Sequence, residues 1–143
     1  MKSFNILLVD NRQRDANVFL NFFIEKNPHI VLKTVEDAAQ AWPALLHDEG
    51  TVAIPKVLFL NCVNGCKEAL NLIKEIRSNV RLKSTLIFVL VETADDEFKK
   101  ELLSLNIAAC IQMPNNEEET RNVYCTLEKY LSTIEFSQAT NTL

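Results

Sequence analysis

The chain has 143 residues, of which 48% are apolar and 24% are charged, and its net charge is −4. These proportions are typical of a globular domain, and a chain of this length buries a substantial core on folding. The 15 basic residues never occur more than two in a row, so a nucleic-acid partner is not expected.

The scarcity of glycine restricts the ligand chemistry that is open to the chain. There are two glycines, Gly50 and Gly65. Loops that cradle phosphate groups need glycine so that backbone N–H groups can approach the ligand. Because neither a G-x-G-x-x-G nor a G-x-x-x-x-G-K-S/T pattern occurs, nucleotide binding through such a loop is not expected.

Cysteine usage and hydropathy indicate the compartment. The four cysteines, Cys62, Cys66, Cys110 and Cys125, lack the C-x-x-C spacing of a metal site, and the chain has two histidines. We therefore predict no metal site and reduced, partly buried thiols. No apolar run is long enough for a signal-peptide core or a membrane span, so we expect a cytoplasmic protein with no membrane partner.

Apolar runs of strand length alternate with segments of helical period along the chain. The first run, Phe4–Val9, is nearly continuous, which predicts a parallel strand covered on both faces. Asp10 and Asn11 then predict the start of a helix that Pro28 ends. A second strand is predicted over 30–35.

The remaining segments repeat this alternation. A short helix is predicted over 37–47, where Pro43 kinks it or marks its start. The predicted elements that follow are a third strand (56–61), a turn (62–66), a helix that ends near residue 77, a fourth strand (85–91), a helix (94–105), a fifth strand (107–112) and a last helix that Asn116 caps and that runs to about residue 134.

Five strand–helix units predict a parallel sheet with right-handed crossovers and helices on both faces. Ligands of such sheets bind at the carboxyl ends of the strands. We expect those ends to present five positions and the neighbouring Glu92; the five are Asp10, Asn11, Asn61, Val91 and Met113.

Four segments carry a specific resemblance: ILLVDN at 6–11, VLFLN at 57–61, IFVLVET at 87–93 and CIQMPNN at 110–116. With them the chain resembles the response-regulator receiver domains of two-component signalling, in particular the single-domain type associated with bacterial phytochromes. The resemblance implies an α/β, flavodoxin-like (βα)5 fold, with a five-stranded parallel sheet of order 2-1-3-4-5. It also implies one receiver-like domain over 1–136, followed by a disordered tail over 137–143.

The same resemblance assigns roles to the strand ends. In receivers an acidic pair after the first strand binds Mg²⁺, and an aspartate at the end of the third accepts a phosphoryl group. A Ser or Thr ends the fourth strand and a Lys ends the fifth. Carried over by position, the acidic pair is Asp10 and Asn11, the phosphoacceptor is Asn61, the hydroxyl residue is Val91 and the lysine is Met113.

These replacements predict a degenerate phosphoacceptor pocket. Formation of an acyl phosphate needs a carboxylate nucleophile, with a metal to spread the developing charge. The Asn61 carboxamide is neutral and weakly nucleophilic, and Asp10 is the one carboxylate left of three. We therefore expect no cofactor, weak or absent Mg²⁺ binding and no enzymatic activity.

The resemblance also implies a protein partner, either a histidine kinase or another signalling protein, and it leaves a homodimer open. The usual contact surface of receivers corresponds to about residues 94–134 here. Its candidate contact residues are Phe98, Cys110, Tyr124 and Tyr130. The two tyrosines are candidates because aromatic side chains with a polar tip favour interfaces. Packing of the two tyrosines over the edge of the core is the alternative.

Other functions stay open at this point. A working receiver with an unusual acceptor, such as Asp10, is one, and a small-molecule or flavin-binding module of the same fold is another. A generic α/β domain in which Asp10 is merely a helix cap is a third. A nucleophilic Cys62 or Cys66 has less support because no histidine is predicted near the strand ends. A carboxylate pair of Asp10 and Glu92 for acid–base catalysis has less support because a solvated rim explains the two residues equally simply.

Overall fold

Five parallel strands form one sheet in the order β2-β1-β3-β4-β5 in a computed structural model of the protein, which describes residues 4–10, 24–46, 55–62, 67–91, 96–114 and 116–133. The strands are β1 (Phe4–Val9), β2 (Ile30–Val35), β3 (Val57–Cys62), β4 (Leu86–Val91) and β5 (Ala109–Gln112). The helical segments are α1 (residues 24–26), α2 (Ala38–Leu46), α3 (Lys67–Ser78), α4 (Asp96–Leu103) and α5 (Glu117–Thr133). The observed order confirms the predicted flavodoxin-like topology.

The register of the central strands fixes which residues meet at the carboxyl edge of the sheet. Val9, the last residue of β1, pairs with Val35 of β2 and with Leu60 of β3. Farther along, Cys62 of β3 pairs with Val91, the last residue of β4. Because all five strands are parallel, their carboxyl ends lie along one edge.

Alternating strand side chains divide the core into two layers, one on each face of the sheet. The first, which we call the α2–α4 layer, packs against those three helices. Its fully buried members include Leu7, Leu58, Ile87, Val89, Leu45, Ile73, Ile76 and Leu102. The second, the α5 layer, contains Ile6, Leu8, Phe59, Phe88 and Leu90 under Tyr124, Leu127 and Leu131.

Side-chain caps begin two helices where the sequence placed them. The Asn116 side-chain oxygen accepts a hydrogen bond from the Glu119 backbone N–H at 2.7 Å, which confirms its predicted role at the start of α5. Asp37 caps α2 in the same way, by accepting from the Gln40 N–H at 2.9 Å. These caps satisfy N–H groups that have no partner within the helix.

The structure corrects several predicted boundaries. β3 extends to Cys62, which is buried and pairs with Val91, so Cys62 belongs to the strand and not to the predicted turn. β5 begins at Ala109 rather than residue 107, because Asn106 adopts a left-handed conformation (φ 57°) just before it. Pro43 lies inside α2 and does not begin it. Most of the predicted first helix (11–23) and the tail (137–143) lie outside the described residues.

Candidate functional site

Asp10 directly follows β1 at the carboxyl edge of the sheet. Its backbone N–H donates a 3.0 Å hydrogen bond to the carbonyl oxygen of Val35, which continues the β1–β2 ladder by one residue. Asp10 is 1% exposed. A carboxyl group so shielded from water needs polar partners within the protein.

Asn61 is brought beside the strand end that carries Asp10. Each of the two follows a member of the Val9–Leu60 pair, so they stand at the same level on neighbouring strands. Asn61 is half-buried and pairs with Leu90 on its other side. Since Phe59 belongs to the α5 layer, strand alternation directs Asn61 to that face.

Val91 and Met113 complete the described part of the predicted pocket, and they lie on different faces. Val91 is fully buried in the α2–α4 layer, whereas Met113 is half-buried against the α5 layer. Their backbones meet, because the Met113 N–H donates to the Val91 carbonyl oxygen at 2.6 Å. The fifth predicted position, Asn11, and the neighbouring Glu92 lie outside the described residues.

The described side chains at this edge offer little for a metal ion. Mg²⁺ takes oxygen ligands and is usually held by one or two carboxylates together with phosphate and water oxygens. Asp10 supplies one carboxylate and Asn61 one neutral amide oxygen, while Val91 and Met113 supply no oxygen. In the ranges that the structure describes, no three His, Cys, Asp or Glu residues cluster in a way that could hold a metal. These donors fit Mg²⁺ poorly.

A lysine that the sequence analysis did not single out also reaches this edge. The Nζ of Lys99, on α4, donates a 2.8 Å hydrogen bond to the side-chain oxygen of Gln112 at the end of β5. Helical period alone could not have revealed this contact, since the two residues are 13 apart and belong to different elements. The contact ties α4 to the end of β5.

The same lysine acts on Cys110, the half-buried thiol two residues earlier on β5. Burial raises the pKa of the Cys110 thiol, and the positive charge of Lys99 lowers it in part. The net result is a thiol that ionises at higher pH than an ordinary cysteine, which disfavours a role as a nucleophile.

The candidate contact residues differ in their exposure. Tyr124 is 5% exposed and packs in the α5 layer, which matches the alternative in which this tyrosine packs over the core. Tyr130 is 47% exposed, with its ring edge-on to Phe88 at 6.3 Å between centroids. Phe98 and Cys110 are half-buried against the α2–α4 layer.

One exposed apolar residue was missed. Leu103, at the end of α4, is 62% exposed. Helical period carried the signal, because Phe98 and Leu102 lie four residues apart on the packed face of α4 and Leu103 falls on another face.

A shallow depression of about 550 Å³ lies apart from the strand ends. It is lined by Trp42 of α2 and by Lys74, Glu75, Ser78 and Asn79 at the end of α3. Since α3 runs antiparallel to the strands, this end of the helix lies toward the amino ends of the strands. The depression is therefore separate from the candidate site.

The strand order and the strand-end residues define a doubly wound α/β domain, and solved structures narrow that class. The phosphorylated cyanobacterial phytochrome response regulator RcpA matches with a TM-score of 0.80 at 19% identity, over 93% of this chain and 97% of that one. The Mn²⁺-bound form of response regulator Rcp1 matches with a TM-score of 0.75 at 17% identity, over 94% and 99%. A response-regulator receiver domain from Rhodospirillum rubrum gives 0.76 at 16%, over 94% and 97%.

These likenesses establish the fold. The chain has the fold of response-regulator receiver domains, as the sequence predicted. No model of a protein family and no curated protein matches it. None of the helices in the described part of the chain has the length and hydropathy that a bilayer span requires.

Proposed function

We propose that this chain is a receiver-like signalling domain that acts through protein–protein contacts and does not accept a phosphoryl group of its own. The observation that carries the proposal is the register of β1 and β3, which sets the amide of Asn61 beside the strand end of Asp10. In a receiver fold this is the place of the phosphoacceptor carboxylate. A carboxamide there has no charged oxygen with which to attack phosphorus.

The surrounding positions support the same proposal. The hydroxyl position holds the buried Val91 and the lysine position holds the half-buried Met113. Loss of an opposite charge near a phosphoryl group forfeits roughly 1–4 kcal/mol, between the limits of water and a protein surface. The lysine charge is lost at Met113, and two carboxylates that would hold Mg²⁺ are lost at Asn11 and Asn61. The pocket therefore neither holds Mg²⁺ well nor stabilises a transferred phosphoryl group.

Incubation with acetyl phosphate and Mg²⁺, followed by intact-mass measurement, tests the proposal. We expect no added phosphoryl mass on the wild-type chain. A stable adduct that disappears in Asp10→Asn would instead identify a working receiver with Asp10 as an unusual acceptor. The 1% exposure of Asp10 argues against that outcome, because an attacking carboxylate must reach the phosphorus in line.

Purification tests the remaining alternative. A flavin or another small molecule bound at the strand ends would add an absorption band or a co-purifying mass that native mass spectrometry detects. We expect neither, because the glycine-poor sequence lacks the loop that would cradle a phosphate.

The proposed partner is a histidine kinase or another signalling protein in the cytosol, and the proposed contact surface consists of α4, β5 and α5. Leu103 and Tyr130 are its most exposed apolar residues, and Phe98 and Cys110 lie half-buried within it. Exposed aromatic and apolar side chains of this kind are the usual anchors of an interface.

A matched set of variants tests this surface. Leu103→Ser and Tyr130→Ser should abolish capture of the partner and any self-association seen by analytical ultracentrifugation. Val31→Ser is the control, since Val31 is 58% exposed on β2, at the other edge of the sheet. Equal binding by all three variants would place the partner elsewhere.

A further inference from the structure

The Arg77 side chain joins three segments that are distant in sequence. Arg77 lies in the last turn of α3. Its Nε and Nη2 donate to the carbonyl oxygen of Asn106 at 3.0 and 2.6 Å, and its Nη1 donates to the carbonyl oxygen of Lys83 at 2.9 Å. Asn106 precedes β5 and Lys83 precedes β4, so one guanidinium connects α3 to the entries of both strands.

The Asn106 contact holds an uncommon backbone conformation. Asn106 has φ 57°, the one positive φ recorded at a non-glycine residue in the described chain. This conformation is unfavourable for most residues, although asparagine tolerates it better than others. Two N–H donors from one planar guanidinium stabilise the carbonyl that this conformation presents. The neighbours of Asn106, Leu105 and Ile107, pack half-buried against the α2–α4 layer.

The α4–β5 unit, residues 96–112, is attached to the core mainly by half-buried side chains. β5 is a four-residue strand at the edge of the sheet, and none of its side chains is fully buried. In α4, Leu102 is the buried residue. The Lys99–Gln112 hydrogen bond holds α4 to β5 but joins neither to the rest of the protein. Besides Leu102, the β4 ladder and the half-buried side chains of the unit, the Arg77 hydrogen bonds connect it directly to α3.

Electrostatics make this contact specific to arginine. The oxygens that the half-buried Arg77 binds are neutral carbonyls, and partial burial lowers the pKa of the Arg77 guanidinium. A lysine at this position would place a single ammonium near one of the two carbonyls and lose the planar geometry that serves both.

We propose that Arg77 is a latch that holds the α4–β5 unit against α3, and that its loss opens this unit locally while β1 and β3 remain folded. The latch goes beyond the proposed function, because it operates whether or not a partner binds α4 and β5. Loss of the Arg77 contact makes β5, the edge strand, open more often and leaves the central strands β1 and β3 unchanged.

Hydrogen–deuterium exchange of the full chain, resolved by peptide, tests the latch. In Arg77→Gln we expect exchange over residues 104–112 to accelerate by about tenfold or more, with β1 and β3 unchanged, because local opening exposes only the released segment. Arg77→Lys should accelerate the same residues by less. Arg121→Gln is the control, since Arg121 makes only an exposed contact with Glu117 at 4.0 Å, and it should exchange as the wild type does.

Two results would overturn the latch. One is equal acceleration in β1, β3 and residues 104–112, which would make Arg77 a contributor to global stability alone. The other is no change over 104–112. If Arg77→Gln does not fold, the milder Arg77→Lys variant provides the same comparison.

Discussion

The backbone N–H of Met113 donates a 2.6 Å hydrogen bond to the carbonyl oxygen of Val91. This bond continues the β4–β5 ladder beyond Gln112 to the two positions where receivers carry a lysine and a hydroxyl. The backbone at these two positions therefore has the geometry of a parallel ladder, and backbone groups alone make the hydrogen bond that fixes it. Under the proposed function, side-chain chemistry is what separates this pocket from a working one, and side chains can be exchanged.

Restoring the acceptor alone should not restore phosphorylation. We expect Asn61→Asp to remain unlabelled by acetyl phosphate and Mg²⁺ within the time that labels an ordinary receiver, because the metal and lysine positions are still changed. The combined variant with Asn11→Asp, Asn61→Asp, Val91→Thr and Met113→Lys should gain one phosphoryl group by intact mass. Full labelling of Asn61→Asp alone would show that the other positions matter little.

The Asn116 cap should contribute measurably to stability. Asn116→Ala removes the oxygen that accepts from the Glu119 N–H, and we expect it to lower the free energy of unfolding by about 1 kcal/mol. Asn122→Ala, an exposed position inside α5, is the control and should be neutral or slightly stabilising because alanine favours helix. Urea unfolding measures both, and equal effects would contradict the cap.

Truncation of the two tyrosines of α5 should lower stability to different degrees. Tyr124→Ala empties a site in the α5 layer, and we expect a loss of roughly 3–5 kcal/mol, as for other large buried aromatic residues. Tyr130→Ala removes an exposed ring with one edge-on contact to Phe88, so about 1 kcal/mol is expected. Thermal or urea unfolding distinguishes them, and similar losses would show that Tyr130 is a core residue.

Cys110 should react with iodoacetamide more slowly than the exposed Cys125 near pH 8, because burial raises the pKa of the Cys110 thiol. Lys99→Gln removes the charge that lowers this pKa, and the alkylation profile should move to higher pH. Lys100→Gln, exposed on the same helix, is the control. Peptide mapping reports each site, and an unchanged profile in Lys99→Gln would contradict the assigned interaction.

The raised pKa of the Cys110 thiol also predicts how the stability of the fold changes with pH. The raised pKa means that the folded state favours the neutral thiol. This preference stabilises the folded state. The stabilisation is fully present below the pKa of the unfolded thiol and is lost as pH rises through the pKa of the folded thiol. Cys110→Ser should therefore reduce the fall in stability on the alkaline side, measured by urea unfolding across that range.

The local sequence pattern was sufficient to place the elements whose ends are marked by a turn residue or a helix cap. The limits of β2 were predicted correctly, and Asn116 marked the start of α5, because turn residues and caps act over a few positions. The end of α4 and the start of β5 were misplaced, since Leu105 and Ile107 continue the apolar pattern through a turn that Asn106 makes. The apolar pattern reports burial, and here the half-buried Leu105 and Ile107 of a turn produced the same signal as a helix or a strand.

The local sequence pattern could not predict contacts between residues that are far apart in the chain. Arg77 and Asn106 are 29 residues apart, and Lys99 and Gln112 belong to different elements. Nothing in the local sequence distinguishes Arg77 from any other basic residue near the end of a helix. The strand-end positions could be predicted because parallel topology alone assembles them, whereas the opposite faces of Val91 and Met113 followed only from the observed register.

The division of the core by the sheet bears on how such a chain can change over time. The backbones of five strands stand between the side chains that contact α5 and those that contact α2, α3 and α4. A substitution on one side therefore has no direct neighbour on the other and cannot be relieved by repacking there. The residues on each side of the sheet can therefore change in sequence independently. A helix on one side can acquire a surface for a new binding protein while the packing on the other side keeps the chain folded.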